Sequence, residues 1–341
     1  MRGSRPPGPY PLPPVNVPKL RTHWPLLLAA TAVVGALAVR PADSPKRFRL
    51  GAQAWVGYAP AYLAREDALW TSAAVSVVEL PTDASIVRAM RSGDLEAGCM
   101  TLDGAFRVQA AGVEVRLVAV LDYSVGADAV VAAPGAPIAT PAELRGKRVA
   151  VERHGVGMLF LARALKSAGL SIADVQLVNA DLSKHTDLIR AGRVDAVVTY
   201  SPHKERHIAA GGRVVCDSSS AAANVIDVLV VRADSFRTNP SAIRSLVRGW
   251  EGAATRLAAD TPLRAAVARD MGIPLAELVA SYAQVRIPTR EESRALLAPN
   301  DPGLAPAVRE TAEALTALAV IDGPVDPARM FATAAETEAL R

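Results

Sequence analysis

The sequence predicts an α/β chain folded as two lobes, each a mixed sheet flanked by helices, with two hinge crossovers between them. Three observations carry this reading. Strand-like and helix-like segments alternate from Phe48 to Cys216, which implies crossover connections and mainly parallel strands. The alternation falls into two similar sets, one ending near Leu121 and one starting at Thr140. Two mainly apolar runs, Gly126 to Ala133 and Val225 to Val231, stand where the chain would pass from lobe to lobe. The expected boundaries are a leader at residues 1–46, a first lobe from 47–128 plus 224–341, and a second lobe from 129–223.

In the first set, Phe48 to Ala54 reads as a strand and Pro60 opens a helix reaching about Trp70. Val75 to Leu80 is a strand. A helix over Asp83 to Arg91 takes Asp83 as N-cap and has Gly93 just past its end. Leu95 to Met100 is a strand, Asp103 to Ala111 a helix stopped by Gly112, and Val115 to Leu121 a strand. In the second set, Thr140-Pro141-Ala142-Glu143 is a capping box with proline at the first helical position. Strands at Lys147 to Val151, Val175 to Val178, Asp195 to Thr199 and Arg213 to Cys216 alternate with helices at Gly157 to Ala168, Leu182 to Ala191 and Pro202 to Ala210. After Val231 the chain reads as all helical, with Asn239-Pro240, Thr261-Pro262 and Asp326-Pro327 as helix starts.

Composition narrows the function classes. With 341 residues, half of them hydrophobic, the chain has ample material for a core. Its net charge of +4 is spread without a basic, aromatic-laced patch, so a nucleic-acid surface is not expected. Two cysteines, Cys99 and Cys216, fall in different predicted lobes and make neither a metal site nor a disulfide framework. The leader begins basic and proline-rich, with Arg2, Arg5, Lys19 and Arg21 and no acid. An uncharged run from Trp24 ends in Ala36-Leu37-Ala38, the pattern of a secretory signal peptide cut after Ala38. An uncleaved anchor is the alternative. Either places the rest of the chain outside the cytoplasmic membrane.

Ligands of such sheets bind beyond the carboxyl ends of the strands, where helices begin. That rule selects Trp55 and Tyr58 beside Gly57, where an aromatic wall with a polar edge suits a small polar ligand. Tyr62 and Trp70, in the following helix, are expected in the core. It also selects Asp83 and Ser85, Thr101 and Asp103, and Tyr123 and Ser124 in the first lobe. In the second lobe it selects Glu152, His154, Gly155, Asp181 and Tyr200. At helix starts the ordinary role of such residues is capping; the ligand role is amide-assisted binding. The acids of this rim outnumber the nearest cations, Arg153 and Lys184, which favours a neutral or amine-bearing solute over a bare dianion. Nucleophile-elbow, phosphate-loop, zinc-protease and dinucleotide motifs are absent from the sequence. His203 and His207 have the spacing of a metal pair, but Lys204, Glu205 and Arg206 around them read as a solvated face. No catalytic residue, cofactor or metal is expected.

Several segments in a fixed order carry a family resemblance: Trp55-Val-Gly-Tyr-Ala-Pro60 to Glu66, Gly98-Cys-Met-Thr-Leu-Asp103, Leu121-Asp-Tyr-Ser-Val-Gly-Ala-Asp128, Leu144 to Val151 and Val194 to Pro202. The chain resembles the nitrate/sulfonate/taurine-type periplasmic solute-binding proteins of ABC transporters over roughly Arg47 to Val320. The resemblance implies a type II periplasmic-binding fold, capture of a small ligand by lobe closure, and delivery to a permease with a cytoplasmic ATPase. Ser201 departs from the acidic residue often found after the aromatic at Tyr200, and His154-Gly155-Val156 from a commoner small polar residue. Some proteins with this fold are enzymes that cleave sulfinates or form pyrimidines; the first kind needs a reactive cysteine in the cleft, which Cys99, inside a strand, does not supply. The expectation is an exported, monomeric, non-enzymatic receptor for a small nitrogen- or sulfur-containing molecule. It meets the membrane only through its leader or its permease. An enzyme on the same fold and a tethered sensing module are the alternatives.

Overall fold

A computed structural model describes residues 47–66, 69–70, 75–220, 225–298, 300 and 302–340. The leader and its proposed cleavage site lie outside the described residues. Eleven strands are found among the described residues: β1 (Phe48–Ala52), β2 (Val75–Glu79), β3 (Ala97–Thr101), β4 (Val115–Ser124), β5 (Asp128–Ala132), β6 (Arg148–Val151), β7 (Gln176–Asn179), β8 (Ala196–Tyr200), β9 (Arg213–Asp217), β10 (Val225–Arg232) and β11 (Val285–Arg286). They form two mixed sheets with the orders β11-β4-β10-β3-β1-β2 and β7-β6-β8-β5-β9. Within the first, β1 runs parallel to β2 and β3, and β10 lies antiparallel between β3 and β4. Within the second, β6 runs parallel to β7 and β8, and β5 lies antiparallel between β8 and β9.

The two sheets begin with the same device. The backbone N–H of Arg49 donates to Glu96 Oε2 at 2.7 Å, and its guanidinium reaches Oε1 at 2.7 Å and the carbonyl of Gly93 at 2.8 Å. The backbone N–H of Arg148 donates to Asp195 Oδ2 at 2.8 Å, and its guanidinium reaches Oδ1 at 2.7 Å and the carbonyl of Gly192 at 2.7 Å. Each clip joins the first strand of its set to the strand entry that follows a helix. Both helices end on a left-handed glycine, Gly93 at φ 81° and Gly192 at φ 61°, a conformation that costs other residues a Cβ clash.

Apolar alternation explains what covers the sheets. One face of the first sheet packs on the helices Ala59–Glu66 and Pro240–Ala259, burying Tyr62, Trp70 and Trp250. Its other face buries Ile86, Met90, Phe106 and Val308 beneath the helices Asp83–Ser92, Leu102–Ala110 and Ala305–Ala317. The second sheet is covered by the helix Val156–Ser167 through Phe160, Leu161 and Leu165. Burying side chains of this size gains about 1.5–3 kcal/mol each before chain entropy is counted. No helix among the described residues is long and apolar enough to cross a membrane.

The structure departs from expectation in four places. Val225 to Val231 does not cross between lobes; it is β10, central in the first sheet, whereas β9, which precedes it, belongs to the second. The other passage is confined to the turn at 125–127, with Gly126 at φ 103°, because β5 already belongs to the second sheet. The N-cap before Asp83 is Thr82, and the cap before Thr261 is Asp260; in each case a residue one step earlier bonds the free amide. The Thr140 box heads only a short 3₁₀ turn, Pro141–Leu144, and the region after β10 is not all helical, since β11 adds an edge to β4.

Candidate functional site

A cleft of about 990 Å³ lies between the carboxyl ends of the two sheets. Thr82, Ser85, Arg88, Arg91 and Arg107 line it from the first, and Glu152, Arg153, His154, Asp181 and Tyr200 from the second. Of the sequence-selected residues, the structure therefore brings Ser85, Glu152, His154, Asp181 and Tyr200 to one cavity.

Asp83, Thr101 and Asp103 sit just behind its first wall, gathered by Arg107. One nitrogen, Nη2, donates to Asp103 Oδ2 at 2.7 Å and to Asp83 Oδ2 at 3.1 Å. The Thr101 hydroxyl donates to Asp83 Oδ2 at 3.1 Å. Burial pushes the Asp83 carboxyl up to about 7, against the opposing pull of Arg107. The Arg107 side chain is only 9% exposed, and its Nε and Nη1 have no hydrogen-bond partner. Sequence reasoning passed over Arg107. The available signal was Asp103-x-x-x-Arg107, an i,i+4 pair at the first turn of a helix, which places a cation directly behind that turn.

The two turn aromatics do not line the cleft; they are packed in the core of the first lobe. Tyr58 is fully buried and its hydroxyl donates to Asp227 Oδ1 at 2.7 Å. Trp55 is 5% exposed, its Nε1 donates to Asp122 Oδ2 at 3.3 Å, and its ring meets Tyr200 of the opposite lobe edge-on at 5.6 Å. Asp122 and Asp227 stand opposite each other in the β4–β10 register, and both are buried. Burial drives both up, Asp122 to about 7 and Asp227 well above the carboxylate range. The polar edges these aromatics were expected to show a ligand are thus occupied by buried acids.

Tyr123 and Ser124 do not reach the cleft. Tyr123 is on the other face of β4, beneath the Arg286 guanidinium at 4.5 Å. The Ser124 hydroxyl is buried at the passage between sheets, 2.6 Å from Ser218 Oγ, and accepts from the Asp128 N–H. Alternation along the strand sends consecutive side chains to opposite faces, so Asp122 and Tyr123 could not both face the ligand. Gly155 is the N-cap of the helix Val156–Ser167, closely approached by Glu152. Desolvation and the nearby Asp181 hold Glu152 above the usual carboxylate range.

The solvated face expected around His203 and His207 is not one. Lys204 and His207 are buried, with Lys204 Nζ donating to the Gly126 carbonyl at 2.6 Å and to Gln284 Oε1. Arg206 adds an ion pair to Glu277 at 2.7 Å. This helix clasps the first lobe beside the passage. Among the described residues no three His, Cys, Asp or Glu side chains are placed to hold a metal. Cys99 is fully buried and its thiol is pushed well above the usual range; Cys216 is pushed up to about 11. Neither supplies a thiolate to the cleft.

Two mixed α/β sheets facing each other across a polar cleft define the periplasmic-binding-protein fold. The chain belongs to the NMT1/THI5 like family, whose model matches residues 55–265. It is 28% identical over 271 residues to an aliphatic sulfonates-binding protein of Escherichia coli (strain K12), covering 77% of this chain and 83% of that one. The crystal structure of the periplasmic aliphatic sulphonate binding protein SsuA from Escherichia coli superposes with a TM-score of 0.70 at 23% identity, over 85% of this chain and 93% of that one. The desulfurization enzyme DSZB superposes with a TM-score of 0.60 at 17% identity, over 86% of this chain and 99% of that one. The two superpositions speak to the fold alone.

Proposed function

We infer that the protein is the exported solute receptor of an ABC importer and that it captures a small organic anion of the sulfonate class. One observation carries the ligand class: Arg88, Arg91 and Arg107 from one wall and Arg153 from the other border the cleft, against Glu152 and Asp181. That balance reverses the sequence expectation of a neutral or amine-bearing solute, which counted acids that Arg107 already engages. The helices starting after Gly155 and Asp181 have no side-chain cap bond, so their first amides are available to sulfonate oxygens. The name of the sulfonates-binding relative supports the same reading. Binding would close the two lobes about the passage at residues 125–127, since only a ligand that touches both walls favours the closed state. A monomer bearing its ligand would then dock on a permease driven by a cytoplasmic ATPase. Neither Cys99, which is buried, nor Cys216 lines the cleft, which favours a receptor over an enzyme that relies on a cleft cysteine.

Titration calorimetry of the chain lacking its leader against methanesulfonate, butanesulfonate and taurine tests the reading. At a hundredfold excess over Kd a native-state ligand adds about 2.7 kcal/mol of stability, readily seen in a melting curve. Binding without conversion is the expected result. No heat and no melting shift with any of the three would overturn the ligand class, and a released, altered product would transfer the protein to the enzymes.

A further inference from the structure

Beside the passage at 125–127, the helix His203–Ala209 of the second lobe meets the residues that follow the helix Leu275–Tyr282 of the first. Lys204 Nζ donates to Gln284 Oε1, and Gln284 Nε2 donates to Glu205 Oε1 at 2.8 Å. Two neighbouring residues of opposite charge thus hold both ends of one amide, the cation at its oxygen and the carboxylate at its nitrogen. Gln284 is anchored in the first lobe: its carbonyl accepts from the Val125 N–H at 2.7 Å, and Val285 next to it pairs with Ser124. Glu205 is anchored in the second, where it accepts from the Ser201 hydroxyl at 2.8 Å. Lys204 Nζ also donates to the Gly126 carbonyl at 2.6 Å, and its side chain is only 8% exposed. Arg206 extends the contact to Glu277 at 2.7 Å. None of Lys204, Glu205 and Gln284 lines the cleft.

We propose that Lys204 and Glu205 grip Gln284 as a latch that favours the closed arrangement of the lobes before ligand arrives, and that the three residues thereby set the receptor's affinity without touching the ligand. The proposal rests on the reading of the chain as a receptor that closes on its ligand, and not on that ligand being a sulfonate. Each bond of the grip has a charged partner, and such bonds are stronger than neutral ones. Both bonds run from lobe to lobe, so opening separates the anchors of their partners. A contact made in one state and lost in the other is what biases a two-state equilibrium. Apparent affinity scales with the fraction of the protein already in the binding-competent state, so a latch remote from the ligand changes Kd while every ligand contact stays the same. Lys204, Glu205 and Gln284 are on this account positioning residues for capture.

Small-angle scattering and calorimetry of the leaderless chain test it, with Gln284→Met and Lys204→Met. Without ligand, each variant is expected to show a larger radius of gyration than the parent. With saturating butanesulfonate, each is expected to return to the parent's value and to bind about tenfold more weakly, roughly the worth of one hydrogen bond to a charged group. Adding Lys204→Met to Gln284→Met is expected to weaken binding by no more than about twofold further, because the amide it gripped is already gone. Gln284 is partly exposed, so if Lys204→Met does not fold, Gln284→Met carries the test. Ligand-free variants as compact as the parent overturn the latch, whether or not their affinity changes. A parent that binds no sulfonate overturns the ligand class alone, and the ligand-free scattering still decides the latch.

Discussion

The two lobes are built alike at one end of their sheets and differently at the other. At the strand entries, Arg49 with Glu96 and Arg148 with Asp195 make the same clip, down to the glycine carbonyl each arginine caps. At the carboxyl ends the resemblance stops. In the first lobe Thr82 and Thr101 accept from the amides of Ser85 and Gly104, so the helix starts are closed and charge is presented by arginine side chains. In the second, the helices after Gly155 and Asp181 have no such side-chain bond and present backbone amides. The shared end sets the sheet register. The divergent end lets two similar lobes offer a ligand different donors, long cations from one side and short, rigid amides from the other.

The largest expected effect comes from removing the cation on which the first lobe depends. Arg107→Met leaves Asp83 and Asp103 buried without their partner, and breaking a buried pair in this way costs about 3–5 kcal/mol. Urea unfolding measures it. Adding Asp103→Asn to Arg107→Met is expected to recover part of the loss, because the uncompensated charge is then gone. A single variant as stable as the parent would show that the cluster is not the organising centre of that wall.

The clips give the next test, and here the comparison predicts equality. Each acid accepts a backbone amide and a guanidinium, so Glu96→Ala and Asp195→Ala are each expected to cost about 1–3 kcal/mol. Both sites are partly exposed, so values nearer the lower bound are expected in high salt. A loss confined to one lobe would mean that the matching geometry does not carry matching energy.

How much of this was legible in the sequence follows from how local each signal is. Strand and helix order could be read because apolar alternation and glycine stops act within a few residues, as at Gly93 and Gly192. The placement of Ser85, Glu152, His154, Asp181 and Tyr200 at the cleft could be anticipated because topology alone sends strand ends there. Arg88, Arg91 and Arg107 were missed because each looks like an ordinary polar helix position until the second lobe is set opposite. Asp227 was passed over within an apolar run, although an acid in the middle of a buried strand is itself a signal. Its partner Asp122 is 105 residues away in sequence and adjacent only through β-pairing.

That pair gives a pH test of the first lobe's interior. A carboxyl raised from its usual value to about 7 binds its proton more tightly in the folded state than in the unfolded one. Its stabilising contribution is full below the unfolded value near 4 and is lost as pH rises through about 7. Asp83, also near 7, and Asp128, near 6, add slopes of the same sign. Lowered His185, at about 4, acts in the opposite direction, on the acid side of 6.5. Asp122→Asn keeps an acceptor for Trp55 and removes one titration. The unfolding free energy of the parent is expected to fall from pH 5 to pH 8, and that of the variant to fall less, by about 2–3 kcal/mol. Parallel pH profiles would show that burial does not raise Asp122.

The smallest effect is expected where the lobes touch through their aromatics. Trp55 is packed in the first-lobe core while its edge contact with Tyr200 reaches the second, so truncation to alanine would mix a cavity with a lost contact. Trp55→Phe separates the two. It keeps an aromatic ring against Tyr200 but removes the Nε1 bond to Asp122, which is long at 3.3 Å and so at the weak end for a hydrogen bond to a carboxylate. The expected loss is about 1 kcal/mol, the usual net value for one buried hydrogen bond. Tyr200→Leu, in turn, leaves the Asp122 bond in place and removes the ring contacts to Trp55 and His203, with an expected loss of about 0.5–1.5 kcal/mol from the closed state. Small-angle scattering with saturating ligand reads that loss as a larger radius of gyration than the parent's. A variant that closes as fully as the parent would assign closure to the ion pairs at Glu277 and Glu310, leaving the aromatic contact as packing alone.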